Sequence, residues 1–182
     1  MTRVLAALLL AVALLGCEPE DVYVAFVPDG GGGPMRGPPC TDNTDCPPQD
    51  FCERRSCGDA AGRCVHRPQL CEPVSAPVCG CDGVTYLNDC FRRALGQTAS
   101  TDGECTAGAT CDTGAACPSG AFCSRLASSC GQASSAGRCW WVPPACPAVG
   151  AFTACAGGAC LDACGAIRSE RVHEPAPTLT CP

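Results

Sequence analysis

The chain opens with an uninterrupted apolar run, Val4–Leu15, and no later stretch matches its length. That run is too short for a transmembrane helix, which needs about 20 residues. Beyond it the apolar positions come in short groups separated by glycine, proline and polar residues. Val22–Val27 (VYVAFV) reads as an extended tether or a strand. Val78–Cys81 and Val84–Tyr86 are strand-like runs on either side of Asp82-Gly83, a dipeptide that suits a tight two-residue hairpin turn. Asn88 or Asp89 then caps a short helix through Cys90 and Leu95, which Gly96 ends in a left-handed conformation. A helix this short is unstable alone in water, so something covalent has to hold it. Cys79, Cys81 and Cys90 are placed to do so. Leu161–Glu170 is a second helical stretch.

Composition explains how so little apolar bulk can hold a fold. Cysteine accounts for 21 of 182 residues, above the level that marks a disulfide scaffold, while glycine and proline add 21 and 17. Much of the 46% hydrophobic content is cysteine, alanine and the N-terminal run. Few large aliphatics remain for a core, so cross-links must supply the stability. That number of cysteines implies an oxidising, non-cytosolic compartment. The net charge is −6, and all twelve basic residues are arginines scattered along the chain. An acidic chain without basic clusters is not a nucleic-acid binder.

The cysteines fall into two blocks of ten. The first runs C-x5-C-x5-C-x4-C-x6-C-x6-C-x7-C-x-C-x8-C-x14-C from Cys40 to Cys105. The second runs C-x5-C-x5-C-x6-C-x8-C-x6-C-x8-C-x4-C-x3-C-x16-C from Cys111 to Cys181. Local sequence repeats with them. Cys46-Pro-x3-Phe-Cys52 matches Cys117-Pro-x3-Phe-Cys123, and Ala61-Gly62-Arg63-Cys64 matches Ala136-Gly137-Arg138-Cys139. This is an internal duplication. The second copy has lost the Asp-Gly turn, the tyrosine and the asparagine of the first. Two even sets of ten predict five bridges within each block and leave Cys17 over. The fold expected is small and disulfide-rich: two blocks, the first with a short β-hairpin plus one helix, and little regular structure elsewhere.

The run Cys71-x7-Cys79-x6-Tyr86-x3-Cys90, with PVCG, DGVTY and Asn88 in register, resembles the Kazal domain of serine-protease inhibitors. That resemblance places a Kazal-like unit at about residues 64–105. It implies bridges Cys71–Cys90 and Cys79–Cys105 and a convex, substrate-like loop at Glu72, Pro73, Val74 and Ser75. Pro73 would be the primary specificity residue, Pro73–Val74 the bond offered to the enzyme, and Asn88 the residue that braces the loop. The chain departs from the family in two ways. The usual cysteine one helical turn after Cys90 is missing, with Arg93 or Ala94 in its place, and an extra cysteine stands at Cys81. Cys81 is expected to take over the lost bridge by pairing with Cys64. Pro73 is the second departure. It has no N–H to donate and its φ is fixed, whereas trypsin-like and chymotrypsin-like pockets expect a long or basic side chain.

The N-terminus carries a second resemblance. Arg3, the apolar run and Leu14-Leu15-Gly16-Cys17 resemble the signal peptide and lipobox of bacterial lipoproteins. This implies cleavage after residue 16, lipidation of Cys17 and anchoring of the protein to a lipid bilayer. Glu18 is not the aspartate associated with inner-membrane retention, which points to the outer membrane. The organisation expected is a leader at 1–16, a lipidated cysteine and Gly/Pro-rich linker at 17–39, block one at 40–105, and block two at 111–181.

Other chemistries have simpler explanations. Close cysteines such as Cys79-x-Cys81 suggest zinc, but an exported chain with even cysteine sets is better explained by disulfides, so no metal and no cofactor is expected. His66 and His173 are the only histidines and read as exposed loop residues, without a nucleophile motif near either. An enzyme is therefore not expected. Trp140-Trp141 reads as a cover for disulfides rather than a binding anchor. Two functions from different classes remain: an inhibitor with a serine protease as its partner, and a non-inhibitory, disulfide-stapled binding or spacer module.

Overall fold

The computed structural model describes residues 37–107, 109–111, 117–118, 120–132, 136–146 and 151–176. The leader, Cys17 and most of the linker lie outside these. Within the described residues no helix is long and apolar enough to cross a membrane.

The duplication is visible strand by strand. In block one, β1 (Pro39–Cys40), β2 (Asp50–Glu53) and β3 (Gly62–His66) form an antiparallel sheet in the order β1-β3-β2, with Cys40 opposite Gly62 and Cys52 opposite Cys64. In block two, β7 (Thr110–Cys111), β8 (Phe122–Leu126) and β9 (Gly137–Trp141) repeat the register, with Cys111 opposite Gly137 and Cys123 opposite Cys139. The bridges repeat as well: Cys40–Cys52 and Cys46–Cys64 correspond to Cys111–Cys123 and Cys117–Cys139. Glycine is required at the repeated position by space. A Cβ on Gly62 would meet the Glu53 carbonyl oxygen at 2.2 Å, and one on Gly137 would meet that of Ser124 at 2.6 Å. Buried cysteines make up much of the core around these strands, as expected of a chain short of aliphatics.

The second half of block one is built on β4 (Val78–Gly80), β5 (Thr85–Tyr86), helix α1 (Asp89–Ala94) and β6 (Ala99–Asp102). β4 pairs antiparallel with both β5 and β6. The connection between β4 and β5 is longer than the two-residue turn expected. The Gly83 amide donates to the Gly80 carbonyl at 3.0 Å, and the Gly80 amide to the Val84 carbonyl at 2.9 Å, so Cys81, Asp82 and Gly83 form a three-residue loop. Gly83 takes the left-handed conformation at φ 75°, which lets the strands close behind such a loop. Asp82 accepts from the Val84 amide and from the Tyr86 hydroxyl, the latter at 2.6 Å. Burial, and then that bond, hold the Tyr86 hydroxyl well above its ordinary pKa. Asn88 caps α1, and Gly96 follows the helix at φ 70°. The helix is tied to β2 by Arg92. Its buried guanidinium meets Glu53 at 3.1 Å, Asp89 at 2.7 Å and the Gln97 carbonyl.

Block two keeps the same frame despite its degraded sequence. β10 (Phe152–Ala154) pairs with β11 (Val172–Pro175), an isolated bridge joins Phe152 to Leu161, and α2 (Ala163–Arg168) follows an Asp162 cap. Leu161-Asp162-Ala163-Cys164 thus stands where Leu87-Asn88-Asp89-Cys90 stands in block one. The blocks are not separate bodies. β5 lies parallel to β9, with Thr85 beside Trp140 and Tyr86 beside Trp141, so one eight-stranded sheet runs β10-β11-β8-β9-β5-β4-β6 with β7 also on β9. Trp140 is buried with Leu87, Val142, Cys164 and Ile167.

Two expectations are corrected here. Cys81 is joined to Cys57, not to Cys64, with their Cα atoms 5.3 Å apart. Cys64 faces Cys52 in the middle of the first sheet, where its repeat-conserved partner is Cys46, and it has no path to the hairpin loop. Cys71 is joined to Cys90 and Cys79 to Cys105. Block two carries Cys130–Cys155 and Cys146–Cys164, and Cys160 is also disulfide-bonded. Cys155 directly follows β10 as Cys81 directly follows β4, so Cys130–Cys155 is the counterpart of Cys57–Cys81. His173 is the second correction, being 1% exposed rather than in an exposed loop. It sits in β11 between β10 and β8, with Nδ1 donating to the Arg171 carbonyl at 2.8 Å.

Of the nine bridges between described cysteines, Cys57–Cys81 alone has both residues exposed. Exposed bridges are the labile ones. Limited reduction followed by alkylation and peptide mapping should therefore label Cys57 and Cys81 first, with Cys40–Cys52 and Cys111–Cys123 among the last to open.

Candidate functional site

Residues 71–77 have no strand or helix of their own, yet they are held at several points. The Cys71–Cys90 bridge pins the start of this loop to the first turn of α1. At the far end the Ala76 amide donates to the Leu87 carbonyl at 2.9 Å, and the Pro77 carbonyl accepts from the Gly103 amide at 2.9 Å. Between those ends Glu72, Val74, Ser75 and Ala76 are exposed, while Pro73 is half-buried.

The middle is held by one side chain. Asn88 is buried at the junction of β5 and α1, and its Nδ2 donates to the Glu72 carbonyl at 2.9 Å and to the Val74 carbonyl at 2.8 Å. Its Oδ1 accepts from the Phe91 amide at 3.2 Å. One carboxamide therefore caps the helix and gathers the carbonyls on both sides of Pro73. Those carbonyls face the Asn88 side chain, and the Pro73–Val74 peptide lies between them. Leu70 and Val74, 92% and 57% exposed, are the two most exposed large hydrophobics among the described residues, and they bracket Pro73. The loop is thus braced at its middle, with the exposed Val74 side chain beside Pro73.

The other candidates resolve differently. The sulfurs of Cys40, Cys46 and Cys64 lie within 4.8 Å of one another, as do those of Cys111, Cys117 and Cys139. All six are in disulfides, a form that offers no thiolate to a metal. His66 has an exposed side chain beside Asp50 at 3.1 Å. Ser169 donates its hydroxyl to the Ala166 carbonyl, so its 3.5 Å approach to His173 is not a nucleophile–base arrangement. Trp141 was not marked as part of any site from the sequence. In the structure its carbonyl accepts from the Leu87 amide at 3.3 Å, and its indole lies on the Phe91 ring at 5.2 Å.

Asn88→Asp separates the two jobs of this side chain. A carboxylate can still cap α1, but it has no N–H for the two carbonyls and sets a negative charge against them. Each lost bond of this type costs about 1 kcal/mol, and leaving a buried carbonyl unsatisfied costs more. Asn88→Asp should raise the rate of native-state cleavage within residues 72–76 by at least about tenfold while α1 retains its amide protection. Asn88→Ala should lose both, as read by limited proteolysis and hydrogen exchange.

The hairpin, the helix, the loop and its brace all fall inside one match to a known family. Among curated proteins none matches the chain. Residues 66–107, under a quarter of the 182, match the family model of the Kazal-type serine protease inhibitor domain.

Proposed function

We propose that this protein is an inhibitor of serine endopeptidases, that Glu72, Pro73, Val74 and Ser75 form its reactive loop, and that Asn88 is the residue bracing it. The observation that carries this reading is the pair of Asn88 bonds to the Glu72 and Val74 carbonyls. A loop already held in an extended, enzyme-compatible shape loses little freedom on binding. If its central peptide is cut, the bridge at Cys71 and the bonds from Asn88 keep the new ends together, so re-closure competes with release. Inhibition of this kind needs no metal, no cofactor and no catalytic group on the inhibitor.

Pro73 sets what the loop can engage. It offers no N–H to an enzyme backbone and only a short ring to a primary pocket. Wild-type protein should inhibit trypsin and chymotrypsin weakly. Pro73→Arg restores the donor and supplies a long cation, and each ~1.4 kcal/mol gained is a factor of ten in affinity. Inhibition of trypsin amidolysis by disulfide-intact Pro73→Arg should therefore exceed that of wild type by at least about tenfold. A variant that stays inert, or is digested as an ordinary substrate, would favour the second reading, in which the unit is a non-inhibitory surface module. The proline is the observation behind that alternative.

We further propose that the chain is exported as a bacterial lipoprotein held on the outer membrane through Cys17. The lipobox-like Leu14-Leu15-Gly16-Cys17 and the Gly/Pro-rich linker support this. Cys17→Ser should abolish incorporation of labelled fatty acid and leave an unprocessed chain. Mass spectrometry showing an unmodified mature N-terminus at Cys17 would refute the anchor.

A further inference from the structure

We propose that block two is the positioning element for the loop brace, and that Trp141 on β9 holds the two residues on which Asn88 depends, Leu87 and Phe91. Asn88 depends on its two neighbours in the fold. Its Oδ1 is fixed by the Phe91 amide and its backbone by its neighbour Leu87, so the loop is braced only if Leu87 and Phe91 stay in place. Block one holds α1 through Cys71–Cys90 and Arg92–Glu53, and block two adds contacts to both Leu87 and Phe91. α1 has six residues and β5 has two, too few for either to be stable by itself.

Trp141 reaches both. Its carbonyl accepts from the Leu87 amide, and the Leu87 carbonyl in turn accepts from the Ala76 amide at the end of the loop. Its indole packs on Phe91, ring centroids 5.2 Å apart and planes tilted by 39°. The Leu87 side chain is sealed among Trp140, Val142, Cys164 and Ile167, all from block two. β5 has β4 on one side and β9 on the other, so without block two it would be a bare edge. Along α1 three consecutive residues are thus held by different parts of the fold: Cys90 by Cys71, Phe91 by Trp141, and Arg92 by Glu53.

The inference rests on the inhibitory reading only for what the brace is for. It is tested on the full, oxidised chain without reference to any target. In Trp141→Ala, exchange of the Ala76 and Leu87 amides should rise at least about tenfold relative to that of Cys64, whose amide bonds to the Pro38 carbonyl in the first sheet. Trp141→Phe, which keeps a ring against Phe91, should restore most of the protection. Phe91→Ala approaches the same contact from block one, and in the double variant the two effects should be strongly non-additive. Unchanged Ala76 exchange in Trp141→Ala or Phe91→Ala overturns the proposal. So does an equal rise at Cys64, which would mean only a global loss of stability, and so does simple additivity. The inhibitory reading fails separately. A Pro73→Arg protein that leaves trypsin untouched while the Ala76 amide responds to Trp141→Ala removes the inhibitor and keeps the brace. Trypsin inhibition by Pro73→Arg that Trp141→Ala does not weaken removes the brace and keeps the inhibitor.

Discussion

A single carboxamide joins three parts of this chain that no ladder of backbone hydrogen bonds connects. Asn88 holds the loop through the carbonyls of Glu72 and Val74, starts α1 through the Phe91 amide, and ends the segment that leaves β5. An amide is the one small side chain that can donate twice and accept at once. The constraint reaches outward from there. For Nδ2 to meet both carbonyls the loop must run extended past it, which is why the ends of the loop are fixed by a disulfide at Cys71 and by the Leu87 carbonyl. For Oδ1 to meet Phe91 the helix must begin at Asp89, although six residues give it little stability of its own.

What keeps such short elements in place is covalent and repeated. Each block begins with the same three strands and the same pair of bridges, and buried sulfur does much of what leucine and isoleucine do in a larger domain. Cys57–Cys81 then ties the first sheet of block one to the β4–β5 loop, and Cys130–Cys155 does the equivalent in block two. The cross-link at Cys81 therefore sits on the hairpin, while α1 itself carries Cys71–Cys90. The helix gains its remaining hold from two adjacent residues, Phe91 on the Trp141 ring and the buried Arg92 on Glu53. Burial works against ionisation of Glu53 and raises its pKa, while the facing Arg92 opposes that shift.

Much of block one was legible because its signals are local. Asp82-Gly83 marks a turn, Asn88 a cap and Gly96 a helix end, whatever lies elsewhere, and the spacing of Cys71, Cys79, Tyr86 and Cys90 carries the family likeness. What was not legible depends on distance. The order of ten cysteines does not say that Cys81 meets Cys57, because Cys57 and Cys64 both precede the hairpin, and only the fold puts Cys57 in the β2–β3 connection and Cys64 inside β3. In the turn with its extra residue, Cys81 is bridged to Cys57 and its amide bonds the Thr98 carbonyl, partners distant in sequence. His173 reads as a loop residue until β10 and β8 close around it. The pairing of β5 with β9 leaves no periodic trace, since two residues cannot show a pattern. A faint signal for the shared frame did exist in Leu87-x2-Cys90 against Leu161-x2-Cys164.

That last match also explains why residue 88 is an asparagine. Its counterpart Asp162 caps α2 by accepting from the Gly165 amide at 2.7 Å, so the helix-starting role is met equally well by a carboxylate. The second copy kept the frame, the cap and the bridge to the helix, but not the N–H groups that gather a loop. Helix capping alone therefore does not account for an amide at 88, and the two carbonyls it meets beside Pro73 do. The duplication has left one copy with the braced loop and the other with the strand that supports it. The parallel seam at Thr85–Trp140 and Tyr86–Trp141 is where the two roles meet.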